Sequence, residues 1–349
     1  MIKEIKPKNN KQYSGHEKVF YFEDKKVGLR GYVAWHNTVG GPATGGTRLY
    51  DYKKTSDALS DVLRLSKAMT YKGVISGVPF GGGKAVIIGI PAQKTKEFLK
   101  SYAKVIDSFK GKFTTGTDVG ISDDDTKYMS SITPFILKGT GGRTTTSLMA
   151  ARGVYEGVVS AFRTLFPHKK IQDMTIAIKG TGKIGAELIR LLYKHNVKII
   201  AGEKDAENIK KIKKLFPKIK VVDYKNIHKV KVDVYSPCAM GGELTPRTIR
   251  ELNCRIIVGG ANNQFVDERD ISKLTKRGIW YVPDYVVNAG GLIQIVDELR
   301  RGGYNTKRVR RGIKNIGNIT RHLIQESEKT GISTIDIAKK IVHEKIYKK

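Results

Sequence analysis

The sequence predicts an α/β fold in two domains: an N-terminal α/β domain followed by a doubly wound, mostly parallel sheet. Three observations predict it. The chain has 349 residues, more than one domain of ordinary size needs. Apolar runs of strand length alternate with amphipathic helical stretches along its length. MTIAIKGTGKIGAELIRLL (residues 174–192) sets a Gly-x-Gly-x-x-Gly turn between a strand and a helix.

Taken in order, residues 18–35 alternate and then run apolar (VFYF, GLRGYVAW), which reads as a strand pair, and HNTVGGPATGGTRLY (36–50) reads as a glycine-rich turn. In SDALSDVLRLSKAMTYKGV (56–74), Ala58, Val62, Leu65 and Met69 share one helical face, with Ser56 as the expected cap. GVPFGGG reads as a loop and KAVIIG as a short buried strand after it. TKEFLKSYAKVIDSF gives another amphipathic helix, and KFTTGTDVGIS a strand ending in a loop. Residues 146–166 form a long helix rich in small side chains. MTIAIKG, VKIIAGE, VDVYSPC, RIIVGG and IWYVPD then read as strands, with helices after the first two; from Asp297 the chain is helical and charged.

The formal net charge is +31, from 64 Lys and Arg against 33 Asp and Glu. The lysines are spread along the chain. In ENIKKIKKLFPKIK (207–220), Ile209, Ile212, Leu215 and Phe216 fall at helical spacing, so the lysines form a wet face. Arg300, Arg301, Lys307, Arg308, Arg310 and Arg311 make a denser patch, but no nucleic-acid motif accompanies it and no nucleic-acid partner is expected. No run of 18 uncharged apolar residues occurs, and the N-terminus is polar from its start, so neither a membrane span nor a secretory signal is read. Cys238 and Cys254 provide neither a disulfide framework nor metal-ligand spacing. A cytoplasmic protein without a metal is expected.

The glycine motif has the context its chemistry needs. Gly180 permits the tight turn, Gly182 lets a pyrophosphate approach the backbone, and Gly185 lets helix and strand pack closely; Thr181, Lys183 and Ile184 fill the spacing. The second strand ends at Glu203, whose carboxylate suits a ribose 2′-hydroxyl and repels a 2′-phosphate, which favours NAD over NADP; Lys204 blunts that preference.

GVPFGGGKAVIIG (77–89) resembles a phosphate loop but fails its pattern: position 78 is Val and position 85 is Ala, where a P-loop needs Gly and Ser or Thr. Lys72 in MTYKGV, Lys84 in GGGK and Asp118 in TGTDVG, each beside glycine, suit an anionic substrate whose reaction moves protons.

With these residues in view, the chain resembles the glutamate/leucine/phenylalanine/valine dehydrogenase superfamily, most closely its leucine/phenylalanine/valine branch. The resemblance rests on GPATGGTRLY, DVLRLSKAMTYKGV, GGGKAVIIG, TGTDVG, ARGVYEGV, GTGKIG, PCAMGGEL, GGANNQF and PDYVVNAGGLI, in the family's order from about Lys18 to Leu299. It implies NAD-dependent, reversible oxidative deamination of an L-amino acid to a 2-oxo acid and ammonia. It also implies a substrate and oligomerisation domain (1–140 plus a returning C-terminal helix, 326–349), a Rossmann domain (141–325), a cleft between them, and a homo-oligomer. By the same resemblance Lys72 holds the substrate carboxylate, Lys84 activates water and Asp118 shuttles protons. Asn263 helps hold the substrate, and Cys238, Ala239, Asn262 and Asn288 lie by the cofactor. Gly40, Gly41, Gly116, Leu292 and Ile295 line the side-chain pocket.

Two departures stand out. Ala150 occupies the position where the family usually has a threonine for the nicotinamide carboxamide, with Thr145, Thr146 and Ser147 as substitutes nearby. Gly40 and Gly116 replace the Leu and Ala usual in the leucine branch and enlarge the pocket, while Leu292 and Ile295 are bulky aliphatics on the opposite wall. The expected substrate is a large apolar amino acid of leucine/valine or phenylalanine type. The alternatives are a tryptophan-type or other aromatic amino acid dehydrogenase, or a non-catalytic NAD- or polyanion-binding protein on the same fold. A hydroxy-acid dehydrogenase would need a His–Arg pair that the sequence does not offer.

Overall fold

The computed structural model describes residues 1–138, 146–300 and 302–347. The chain divides into two compact units, Met1–Thr144 with Val342–Lys349, and Thr145–Ile341. The sequence-based boundary at 140/141 lies outside the described residues. Of the expected returning segment 326–349, the part before Val342 packs with the second unit.

The first unit holds a mixed sheet of β1 (Ile2–Glu4), β2 (Lys18–Asp24), β3 (Leu29–Asn37), β4 (Ala43–Thr44), β5 (Thr47–Tyr50), β6 (Gly81–Ile88) and β7 (Phe113–Thr114). Its order is β1-β2-β3-β6-β4-β7, with β5 also pairing β6. Helices α1 (Thr55–Ile75), α2 (Lys96–Asp107) and α3 (Asp123–Met129) complete it. Alternation along β6 divides the core. Ala85 and Ile87 meet Phe98, Leu99, Tyr102 and Ile106 of α2, while Val86 and Ile88 meet Ala58, Val62 and Leu63 of α1.

Four details differ from the sequence reading. Residues 36–50 are not only a turn: β4 and β5 lie within them, kinked apart at Gly45-Gly46. The three glycines expected in a loop are instead the first residues of β6, in the interior of the sheet. Helix α1 begins after Lys54, which makes no side-chain cap, so Ser56 lies inside the first turn. Its buried stripe runs through Ala58, Val62, Leu63, Ser66, Thr70 and Gly73, leaving Leu65 and Met69 half-buried on its flank. Helix α3 was not foreseen; Ser122 caps it, and three aspartates in its first turn complement the helix dipole.

The second unit begins with α4 (Thr146–Leu165) and alternates β8 (Thr175–Lys179), α5 (Lys183–Tyr193), β9 (Lys198–Gly202), α6 (Ala206–Leu215), β10 (Lys220–Val222), β11 (Val234–Pro237), α7 (Pro246–Glu251), β12 (Ile256–Ile257), α8 (Ile271–Lys276) and β13 (Trp280–Tyr281). Every pairing in this sheet is parallel. The order β10-β9-β8-β11-β12-β13 is the 3-2-1-4-5-6 order of the dinucleotide-binding fold, in which ligands lie at the carboxyl ends of the strands. Helices α9 (Asp284–Val287), α10 (Gly290–Asp297), α11 (Thr306–Thr330) and α12 (Thr334–Tyr347) follow. Among the described residues no helix is long and apolar enough to cross a membrane.

The first unit buries two histidines edge to face, His16 and His36, with ring centroids 4.9 Å apart. His36 Nδ1 pairs with Thr70 Oγ1 (2.9 Å) and His16 Nε2 with the Leu63 carbonyl (3.0 Å), both on α1. Burial, then the neighbouring His16 and Lys67, pushes the His36 pKa down to about 3; burial lowers His16 as well. A depressed histidine stays neutral in the fold while its unfolded counterpart takes a proton near pH 6.5, so stability is full above that pH and lost as pH falls towards 3. Between those values His36 removes roughly 1.4 kcal/mol per pH unit. Urea unfolding from pH 7 to 5 is therefore expected to show falling midpoints, with a slope that flattens in His36→Gln. An unchanged slope in the variant counts against this assignment.

Candidate active site

Lys84 stands on β6 opposite Ala34 of β3. By alternation it shares a face with Val86 and Ile88, the face covered by α1. Lys72, half-buried, projects from the last turn of that helix, so the two lysines belong to one layer. Lys84 is 5% exposed, and its Nζ donates to Asp118 Oδ2 in a close ion pair. Asp118 follows β7 in a short loop fixed by an isolated bridge to Ile121 and by its own Oδ1 accepting from the Val119 amide (2.6 Å).

The glycines make this approach possible. A Cβ built at Gly82 would sit 2.1 Å from Thr70 Oγ1 of α1, and one at Gly45 1.8 Å from the Gly83 carbonyl oxygen. At Gly46 it would meet the Thr117 carbonyl oxygen at 2.5 Å and Asp118 Cβ at 3.1 Å. The run therefore compresses helix, strand and the Asp118 loop into contact. It builds no phosphate cradle.

Burial drives the Lys84 ammonium below the ordinary lysine range, with Asp118 opposing the shift and Arg48 adding to it. Burial would raise Asp118, but the Lys84 charge and hydrogen bond, with Arg48, more than offset it and hold the carboxyl below the usual aspartate range. The arrangement is an ionised acid beside a lysine whose proton is loosened, which suits proton transfer at a bound substrate.

The remaining first-unit residues also have places. Gly40 and Gly41 lie on the backbone of Phe80 and Pro79, where a Cβ would come within 2.9 and 2.6 Å of the respective carbonyl oxygens. Gly116 is buried, its carbonyl accepting from Thr47 N (2.9 Å). Arg48 and Asp61 were not foreseen. Arg48 Nη1 donates to Asp61 Oδ2 (2.7 Å) while Nη2 stands 3.9 Å from Asp118 Oδ1. The available signal was an arginine inside the strand TRLY.

In the second unit, Gly180 adopts φ +91°, and a Cβ at Gly185 would lie 1.9 Å from the Gly180 carbonyl oxygen. Around Gly182 there is open space, and it caps α5, where Lys183, Ile184 and Gly185 form the first turn. Cys238 and Ala239, at the end of β11, back this turn: a Cβ at Gly180 would meet Ala239 Cβ at 2.7 Å. Glu203 is engaged by the loop itself. Its Oε2 accepts from Thr181 N (2.7 Å) and Oγ1 (3.0 Å), and its Oε1 from the Lys204 and Asp205 amides. Burial opposes, but these bonds outweigh it and keep the carboxyl below the ordinary glutamate range.

Asn288 Nδ2 donates to Asn262 Oδ1 (2.8 Å) and to the Gly260 carbonyl (3.3 Å), while its buried Oδ1 has no partner. An orphaned buried acceptor and an open, glycine-floored helix N-terminus fit a dinucleotide. Asn263, at φ +52°, is exposed, with its carbonyl accepting from Gly242 N. Leu292 and Ile295 are half-buried on one face of α10. Ala150 is buried in α4, whose first turn carries Thr146 and Ser147; Thr145 and Arg301 lie outside the described residues. Sequence reasoning also passed over Lys179, closing β8, which pairs with Glu243 (2.7 Å) and lies 4.6 Å from the Tyr224 ring centroid.

Known proteins share this architecture. A family model for Glu/Leu/Phe/Val dehydrogenase, dimerisation domain, matches residues 16–134, and one for Glutamate/Leucine/Phenylalanine/Valine dehydrogenase matches residues 199–349. The chain is 39% identical to a phenylalanine dehydrogenase of Thermoactinomyces intermedius, over 96% of this chain and 92% of the relative. It is 34% identical to the leucine dehydrogenase of Bacillus subtilis (strain 168), over 95% and 91%. The crystal structure of L-tryptophan dehydrogenase from Nostoc punctiforme superimposes with a TM-score of 0.86 at 35% identity, covering 96% of each chain. The chain belongs to the Glu/Leu/Phe/Val dehydrogenase family, oxidoreductases that act on the CH–NH2 group of amino acids with a nicotinamide dinucleotide.

Proposed function

We propose that this enzyme uses NAD to deaminate a large apolar L-amino acid oxidatively and reversibly, yielding the 2-oxo acid and ammonia. The observation that carries this reading is the Lys84–Asp118 ion pair on the glycine-lined strand, with Lys72 on the helix covering the same face. Bound NAD supplies the hydride acceptor. Lys72 holds the substrate carboxylate by a charge-assisted contact. Asp118 takes the proton from the substrate ammonium, so that the amine can release hydride from Cα. Lys84 polarises the water that adds to the imine and steadies the carbinolamine oxygen; Asp118 then returns a proton to the departing ammonia. Asn263 assists in holding the substrate, and Asn288 offers its open Oδ1 to the nicotinamide carboxamide.

The relatives' names run from leucine through phenylalanine to tryptophan, which favours a large apolar side chain. Following NADH absorbance with each of the twenty L-amino acids at alkaline pH tests the reading. Turnover is expected with leucine-, phenylalanine- or tryptophan-like side chains and not with glutamate; no NADH from any of them overturns it. Self-association is expected through the first unit, and at +31 per chain it should weaken at low ionic strength.

The ionised Glu203 favours NAD, because it repels a 2′-phosphate beside it. Glu203→Ala is expected to raise KM for NAD about tenfold, or about 1.4 kcal/mol. It should also raise the ratio of kcat/KM for NADP to that for NAD. A constant ratio removes Glu203 from cofactor discrimination.

A further inference from the structure

We infer that Arg48 is a positioning residue for the reaction: it holds the Asp118 carboxylate turned towards Lys84, and Asp61 holds Arg48 in place to do so. This rests on the roles proposed above for Lys84 and Asp118.

The placement follows from strand register. Arg48 of β5 pairs with Val86 of β6, so it stands on the sheet face that carries Lys84, two residues along, beneath α1. The guanidinium forks. Nη1 binds Asp61 Oδ2 of α1 at 2.7 Å, and Nη2 stands 3.9 Å from Asp118 Oδ1. Asp61 is itself anchored, accepting from Tyr52 Oη (2.5 Å) and Arg64 Nη2 (2.7 Å) as well. Asp118 is thereby held on both oxygens: Oδ2 by Lys84, Oδ1 by the Val119 amide and the field of Arg48. Behind them a cavity of about 510 Å³ is lined by Arg48, Tyr52, Asp61, Arg64 and Val119.

The charged groups facing the pair are Lys84 from β6, Arg48 from β5 and Asp61 from α1, with Arg64 and Tyr52 beyond. Their signs make a test that a merely structural brace would fail. Arg48 lowers the proton affinity of both Asp118 and Lys84. Losing its charge raises both, so whichever group governs the acid limb of the kcat/KM profile, that limb moves to higher pH. Asp61 acts on Lys84 in the opposite sense, but its loss also frees the Arg48 fork, so Asp61→Asn is read through kcat rather than through the limb. A structural brace between β5 and α1 would instead lower stability in both variants and leave the limb in place.

The experiment is the pH profile of kcat/KM for amino acid oxidation in the wild type, Arg48→Gln, Arg48→Lys and Asp61→Asn, with circular dichroism confirming the fold. Arg48→Gln is expected to shift the acid limb up by about one unit. Arg48→Lys, which keeps the charge but loses the fork, should keep the limb near its wild-type position with a lower kcat. Asp61→Asn, which frees the fork but keeps the Arg48 charge, should lower kcat as Arg48→Lys does. An unmoved limb in folded Arg48→Gln, or a wild-type kcat in both Arg48→Lys and Asp61→Asn, overturns the inference. Should Arg48→Gln not fold, Arg48→Lys and Asp61→Asn decide: a lowered kcat at an unchanged melting temperature supports the role, and a wild-type kcat in both overturns it. Wild type without turnover on any amino acid would instead overturn the proposed function.

Discussion

Replacing Lys84 with methionine is expected to lower kcat/KM for amino acid oxidation by roughly 10³-fold, about 4 kcal/mol of transition-state stabilisation. Methionine keeps the length and apolar stem of lysine on a strand whose neighbours leave little room, so the sheet should survive. The ammonium is lost, and with it the group proposed to polarise the attacking water and steady the carbinolamine oxygen. Most of the loss should fall on kcat, because the carboxylate contact assigned to Lys72 remains. Asp118, two-tenths exposed, loses its close partner in the variant. Its pKa should rise, and the residual activity should require a higher pH. Steady-state kinetics with melting temperatures on the same preparations checks the point. A folded Lys84→Met enzyme within tenfold of wild type removes Lys84 from the chemistry.

The residues of the Lys84–Asp118 ion pair and the turn before α5 were legible because their signals are local: a lysine after three glycines, an aspartate after TGT, a GTGKIG turn after an apolar strand. The parallel second sheet was legible from its first strands, where strand and helix periods alternate, but α7 and α8 between the later strands were not read. What the sequence hid is set by tertiary contact. The glycines at 81–83 read as a loop by composition, yet they form strand, because Thr70, Gly45 and Phe113 close on them and only a residue without Cβ fits. Strand β4 is two residues long, too short for any periodicity to declare, whereas β7, β12 and β13, equally short, were read from the apolar runs around them. The Arg48–Asp61 pair joins a strand to a helix 13 residues on, and nothing in either segment alone says that they meet. Glu203 shows the reverse: its position was readable, but its engagement with Thr181 depends on how the loop folds back.

Gly185→Val and Gly182→Ala should separate two roles that the GTGKIG turn combines. At Gly185 a Cβ would stand 1.9 Å from the Gly180 carbonyl oxygen and 3.0 Å from its carbon. Both are backbone atoms of a turn already fixed at φ +91°, so neither can yield cheaply. Helix α5 must retreat from β8 to admit valine, which opens the packing of Leu188, Ile189 and Leu192 against the sheet and displaces the amides that would receive the pyrophosphate. Gly185→Val is therefore expected to lower both melting temperature and NAD affinity, the latter at least about 100-fold, or about 2.7 kcal/mol. Gly182 meets nothing within 4 Å and sits at an ordinary φ of −69°. Alanine there should fold as wild type, but its methyl would occupy the space left for the phosphates. Calorimetric titration with NAD should show weakened binding by Gly182→Ala at an unchanged melting temperature. Wild-type affinity in that variant would mean that the open space before α5 is not where the cofactor lies, whatever the stability of Gly185→Val.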